Sequence, residues 1–550
     1  MKLLRLLDRL ERRPLHLLVV AATGSALGST LTLAIVNKAA ERISEAGQDF
    51  VELPLAAAFI AAVMFYMASD IWLVSRMAVA VETVIDSMRM RLLDHLRRCD
   101  LLKLESFGQT ALFDSITQAS QAISQNSHFL ALSLRSALLT VAILIYIATI
   151  SLPAFALIGA LLAAGAVIYF QRGRDLEDEG RRMAEEEAGL FESVSDLFDG
   201  FKEQRLDSAH SQALNQTFSA LSERTLAARN LVHRINWGQF VFGETAFNLM
   251  LGLVIFAVPR YSSTFAEEIA KISTAVLFMS SPVFALMQSL ASMRAAEHAA
   301  GRMLELEERI TGLVGPDGAV AAQPVPGDFS VLRMDKVSFA FSAAEGEMPF
   351  RVGPFDLTIK RGETVFITGG NGSGKSTFIK LLTGLYHPQD GQILLDDMVI
   401  EPPALPAYRE LMATIFADFH LFARLYGMAV PDQKEADGLM RQLEMHNVTS
   451  ITGDHFGRTE LSAGQRKRLA LAAARLEHKP ILILDEWAAD QDPHFRQRFY
   501  REIIPELKTM GLTIIAVTHD DHYFDVADRR YHMEDGRLYD PTIANPVTMP

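Results

Sequence analysis

Cysteine is almost absent from this 550-residue sequence. Cys99 stands alone, which excludes an intrachain disulfide and leaves no sign of an oxidising compartment. A basic excess is also missing. The formal net charge is −14, so no cationic surface dominates the totals and nucleic acid is excluded as the main partner. Nor does the N-terminus read as a cleaved secretory signal. Asp8 and Glu11 sit among its basic residues, and the apolar run from Leu15 is too long for a signal core. What the chain has in quantity is apolar side chains, at 49% of residues. They are unevenly spread, with the long runs confined to residues 1–300, whereas 328–540 has the composition of an ordinary globular domain.

Six apolar stretches reach the roughly 20 helical residues needed to cross a bilayer. They lie near 14–37, 54–77, 130–150, 153–170, 240–259 and 270–291. Only Ser151, Leu152 and Pro153 separate the third from the fourth, which predicts a tight helical hairpin. The second and third, and the fourth and fifth, are joined by long polar segments with helical patterning, which predicts spanning helices continued well outside the membrane. Lysine and arginine set the orientation. Lys2, Arg5, Arg9, Arg12 and Arg13 precede the first span, and both long connections are rich in Lys and Arg, whereas the loops near 38–53 and 260–269 carry few. Both termini and both long connections are therefore expected on the cytoplasmic side. The Gly-, Pro- and Ala-rich segment 311–327 reads as a linker. It divides a membrane domain (1–310) from a nucleotide-binding domain (328–540), with a tail at 541–550.

In the second half, "TVFITGGNGSGKSTFIKLL", "ILILDEW" and "LTIIAVTHDD" are short β-branched runs that end in polar turns, the pattern of buried parallel strands with intervening helices. The first carries Gly369-x-x-x-x-Gly374-Lys375-Ser376 between a strand and a helix, which is a phosphate-binding loop. Backbone N–H groups of Asn371, Gly372, Ser373, Gly374 and Thr377 are candidates to converge on phosphate oxygens. Lys375 suits the β- and γ-phosphates of ATP, and the Ser376 hydroxyl suits Mg²⁺. Asp485, at the end of an aliphatic strand, is placed to hold that Mg²⁺ directly or at one remove. Glu486 beside it is the candidate base for an attacking water. Asp490 and Asp492 read more simply as caps of the next helix. His519, taken alone, reads as a strand-end histidine satisfied by its neighbours.

"LSAGQRKR", at 461–468, stands between the loop and the 485–486 pair. In that order these motifs resemble the ATP-binding cassette superfamily, and with six spans the chain looks like an exporter-type half-transporter. The implied fold is an all-α, six-helix transmembrane domain of the type IV exporter kind followed by an α/β P-loop domain. "LDEWAADQDPHFRQRFY" and "THDDHYFDVADR" are similar, more narrowly, to the exporter family for cyclic peptides, siderophores and microcin J25. Trp487 stands where the superfamily usually has proline, and "AADQD" where it usually has "TSALD".

The resemblance implies several further roles. Ser462, Gly464 and Gln465 would contact a nucleotide held by a second copy, and Asp492 would couple the two sites across the dimer. His519 would contact the γ-phosphate. Phe341 would stack on adenine, with Phe339 its near rival. One position departs from the pattern: an ungapped match puts Ala417 where the superfamily has a glutamine that contacts Mg²⁺, with Asp418 beside it as the candidate replacement. A complete set of motifs with one loop and one signature favours a homodimer embedded in the bilayer of the bacterial inner membrane. Within the spans, Asp70, Arg135 and Glu244 all fall within roughly 10 Å of the cytoplasmic boundary at 1.5 Å per residue. They are candidates to line a polar cavity for a peptide-like small-molecule cargo, or an Arg135–carboxylate pair is structural. A lipid flippase or multidrug exporter of the same architecture, or a nucleotide-gated regulator, are the rival readings.

Overall fold

The computed structural model describes residues 13–46, 53–107, 109–257, 265–316, 323–341 and 349–540. Lys2, Arg5, Arg9 and Arg12, part of the linker (317–322) and the tail 541–550 lie outside the described residues. The first half is helical: α1 (Arg13–Ala46), α2 (Leu53–Arg97), α3 (Leu101–Phe107), α4 (Gln109–Gln125), α5 (Ser127–Ile150), α6 (Leu152–Asp199), α7 (Phe201–Leu206), α8 (Ser208–Ala257) and α9 (Phe265–Thr311). Among the described residues, six helical stretches are long and apolar enough to cross a membrane, in α1, α2, α4–α5, α6, α8 and α9. The predicted hairpin forms where Ser151 turns extended and Pro153 enters the first turn of α6, a position where its missing N–H costs nothing. The long connections are helical as expected. At 48 and 50 residues, α6 and α8 run far beyond bilayer thickness, with the six-residue α7 between them.

The chain divides into two compact units, one of 1–91 and 112–307 and one of 92–111 and 308–550. In the first, Leu33, Ile143, Ile147, Ile158, Phe247, Val276 and Met279 form a buried apolar cluster. Val20, Ile60, Ile145, Leu249 and Phe256 point outward instead. Such contiguous apolar exposure is costly in water and favourable against lipid tails.

The sequence places residues 92–111 with the membrane half, but they cluster with the nucleotide unit. The cause is a set of contacts no local pattern reveals. Asp100 N–H donates to the Leu313 carbonyl at 2.9 Å and Gly315 N–H to the Arg98 carbonyl at 3.0 Å. Glu105 on α3 accepts hydrogen bonds from Lys380 and from the Tyr386 hydroxyl. Burial would raise the Glu105 carboxyl's pKa, but those hydrogen bonds outweigh it and hold it below the ordinary value.

The rest of the second unit contains β1 (Val331–Ala340), β2 (Arg351–Lys360), β3 (Thr364–Gly369), α10 (Lys375–Leu382), β4 (Asp390–Leu395), β5 (Met398–Val399), α11 (Leu405–Arg409), β6 (Met412–Ile415) and α12 (Gln433–Gln442). It continues with β7 (Ile451–Thr452), β8 (His455–Phe456), α13 (Ala463–Leu476), β9 (Ile481–Asp485), α14 (Pro493–Arg498), α15 (Ile504–Thr509), β10 (Thr513–Val517), β11 (Arg529–Glu534) and β12 (Arg537–Tyr539). An antiparallel sheet runs β2-β1-β4-β5, and a six-stranded sheet runs β12-β11-β3-β10-β9-β6. In the second sheet every pairing except β11–β12 is parallel. Every residue of β3, β9 and β10 is buried, which explains why all three read as continuous apolar runs rather than alternating ones. Because they are parallel, their carboxyl ends share one edge, where ligands bind in open α/β sheets.

Candidate nucleotide site

β3 delivers the phosphate-binding loop and α10 leaves it, so the loop is held between a buried strand and a helix N-terminus. Gly369 has φ +148 and its Cα lies so close to the Met533 carbonyl that any side chain would collide with it. Lys375 is buried, and its ammonium donates to the Gly369 carbonyl at 3.1 Å and the Gly370 carbonyl at 2.9 Å. The lysine thus closes the loop on itself while keeping its charge at the place where phosphate would sit.

The end of β9, two strands over with β10 between, brings the acids in. The Ser376 hydroxyl lies 3.3 Å from Asp485 Oδ2. Asp485 Oδ1 is buried and has no hydrogen-bond partner. Burial, followed by the nearby Glu486 charge, raises the Asp485 carboxyl's pKa, against hydrogen bonds from Ser376 and the Ala417 N–H and the Lys375 charge. A buried carboxylate with an open oxygen beside a serine hydroxyl fits a divalent cation. Among the described residues no group of three or more His, Cys, Asp and Glu side chains could hold a metal. The remaining ligands would therefore be phosphate oxygens and water, as is usual for Mg²⁺. Asp418, the candidate replacement for the missing glutamine, is exposed.

Glu486 Oε1 lies 3.6 Å from the Lys375 ammonium and 3.2 Å from His519 Nε2. The sequence-predicted base, phosphate lysine and histidine are therefore brought together. A cavity of about 490 Å³ opens over them, lined by loop residues Asn371, Gly372, Gly374, Lys375, Ser376 and Thr377, by Glu486, and by two phenylalanines at its mouth, Phe341 and Phe350. Phe339, the rival for base stacking, is buried in the core and meets Phe341 edge-on at 5.1 Å. Sequence reasoning missed Phe350, which no motif marks; its carbonyl accepts from Phe341 N–H at 3.1 Å. It also missed Tyr386, whose ring braces Phe341 at 6.2 Å while its hydroxyl reaches Glu105.

The signature residues lie elsewhere. Ser462 caps α13 in a reciprocal box with Gln465, and neither they nor Gly464 line the cavity. Gly464 is needed for close approach, since a Cβ there would stand 2.6 Å from the Asp490 carbonyl oxygen. Asp492 caps α14 by accepting from Phe495 N–H at 2.9 Å and pairs with Arg468 at 2.6 Å. The Phe495 N–H bond, ahead of the Arg468 charge, lowers the Asp492 carboxyl's pKa. In the other unit, Arg135 Nη1 meets Asp70 Oδ2 at 2.8 Å, with Ser25 donating to the same carboxylate and the guanidinium over the Tyr66 ring. Glu244 is exposed on α8 and stands outside that pair.

A strand–loop–helix phosphate cradle, an acid pair at the next strand end and six apolar helices define an ATP-driven membrane machine. Comparison with known proteins agrees. The ABC transporter family profile matches residues 352–489. ATP-binding protein SyrD of Pseudomonas syringae pv. syringae is 34% identical over 408 residues, 71% of each chain. The ATP-dependent lipid A-core flippase of Hahella chejuensis is 34% identical over 240 residues, 40% of this chain and 39% of that one. A solved bacterial Atm1-family ABC exporter with ATP bound superposes with a TM-score of 0.74 at 16% identity, covering 96% of this chain and 95% of the other. The chain belongs to the ABC transporter family and is an exporter-type half-transporter, a multi-pass membrane ATPase.

Proposed function

We propose that this protein exports a cyclic or modified peptide, such as a lipopeptide, siderophore precursor or lasso peptide, across the bacterial inner membrane. It does so as a homodimer that hydrolyses Mg²⁺-bound ATP at two composite sites. The observation that carries the reading is the division of one chain's motifs. Lys375, Ser376 and Glu486 line one cavity, with Asp485 against Ser376 and His519 against Glu486, whereas Ser462, Gly464 and Gln465 neither line it nor touch those residues. A second copy would supply the signature residues to each cavity, and neither half of the machinery is degraded, so identical partners suffice. The SyrD match spans most of the chain and the flippase match two fifths of it, which favours the peptide reading over lipid transport. Arg135 and Asp70 form the ion pair that the structural alternative expects, with Glu244 outside it; as a proposal the three line a polar inward-facing cavity for the cargo, and both termini lie in the cytoplasm.

The test is the full chain in liposomes. ATPase activity is expected to rise with cyclic peptides and not with lipid A, and the detergent-solubilised protein is expected to have twice the chain's mass. Stimulation by lipid A alone would replace the peptide reading with a flippase, and an inactive monomer would require a different partner chain.

Asp418 is the residue expected to link cargo to hydrolysis. Asp418→Ala should lower peptide-stimulated ATPase several-fold more than basal ATPase, with nucleotide affinity unchanged. Equal loss of both rates would make Asp418 a metal ligand only. If neither rate falls, coupling needs no side chain at this position.

A further inference from the structure

Glu486 occupies an unusual backbone position. Its φ of 48° and ψ of 35° are left-handed, a conformation that is strained for a non-glycine residue and persists only where its surroundings impose it. The surroundings here centre on Lys467, two residues past the signature glutamine. The Lys467 ammonium donates to the Glu486 carbonyl at 2.8 Å and pairs with Asp490 Oδ2 at 2.7 Å. Its own carbonyl accepts the Trp487 indole N–H at 2.8 Å. That indole is buried and lies 4.3 Å from the Phe499 ring, so it cannot shift without opening the core. Lys467 therefore grips the chain at 486, 487 and 490 at once, from a helix whose first turn carries the signature. The ammonium is almost fully buried, and holding a charge there is expensive unless its partners are fixed.

We propose that Lys467 is a positioning residue for ATP hydrolysis. By fixing the strained peptide at Glu486 it aims that carboxylate between Lys375 and His519, and it makes that aim depend on how α13 is seated. Lys467 would not touch the nucleotide. It acts through Glu486, so the inference rests on Glu486 being the base.

The experiment is a double-mutant cycle on the full-length dimer, read by single-turnover hydrolysis of radiolabelled ATP and by nucleotide titration. Lys467→Met is expected to lower the hydrolysis rate about tenfold or more while the ATP dissociation constant changes less than about twofold. The Glu486→Gln background has no carboxylate to misaim, so there the same substitution should change the residual rate less than about twofold. An equal tenfold loss in both backgrounds would show that Lys467 supports the fold generally, and would overturn the proposal. A Glu486→Gln single variant at wild-type rate would instead overturn the base assignment, which separates the two failures. If Lys467→Met does not fold, Trp487→Phe deletes the indole bond to the Lys467 carbonyl but keeps a buried ring. A rate lowered several-fold at unchanged affinity supports the linkage, and an unchanged rate overturns it.

Discussion

Glu486→Gln is expected to slow ATP turnover by about 10² to 10⁴, the range that general-base catalysis supplies, while ATP still binds with near-native affinity. The amide keeps the size of the carboxylate and its hydrogen bond with His519, and the lysine that would meet the phosphates is held independently by the Gly369 and Gly370 carbonyls. Asp485 and Ser376 are untouched, so cation binding survives as well. What disappears is the oxygen that takes a proton from water. The check is steady-state ATPase of the reconstituted protein beside a direct nucleotide titration. Turnover near the wild-type rate would remove Glu486 from the chemistry, and a parallel loss of affinity would mean that it mainly shapes the cavity.

Lys375→Ala should produce the opposite split. Truncating one partner of a buried, hydrogen-bonded charge pair costs about 2–5 kcal/mol, so the ATP dissociation constant should rise roughly thirtyfold or more. Two effects combine. The phosphates lose their fixed counter-charge, and the Gly369 and Gly370 carbonyls lose the donor that closes the loop around them. Calorimetry on the detergent-solubilised dimer measures this directly. An unchanged affinity would place the phosphates away from Lys375 and dismantle the site as described.

Much of this architecture was legible beforehand because its causes are local. A helix in lipid must satisfy its own backbone, so length and apolarity alone identify the spans. A buried parallel strand carries continuous apolar residues up to the turn where chemistry begins, and Val365–Ile367 and Ile481–Leu484 show it without any structure. The failures share a different cause. Residues 92–111 look like the end of a spanning helix, and it is partners distant in sequence, Leu313 and Gly315 and then Lys380 and Tyr386 more than 270 positions away, that attach this segment to the nucleotide unit. Lys467 lies inside the motif at 461–468, but its partners depend on how α13 packs against the turn after β9. Of the two acids that read as caps, Asp492 is one, because a capping acid needs only the next three residues, whereas Asp490 pairs with Lys467 instead.

The paired helices α6 and α8 have a mechanical meaning beyond their length. With 48 and 50 residues at 1.5 Å each, they are rods of about 70–75 Å, packed side by side and bridged at Arg229–Glu187. Neither has a proline past its first turn, so there is no built-in joint at which an applied bend would dissipate. A rod of that length, tilted by about 5° about one end, carries its far end through roughly 6 Å. That is comparable to one helical turn. A modest rearrangement at one end of the pair is therefore geared up into a displacement large enough to change which faces of the spanning helices meet.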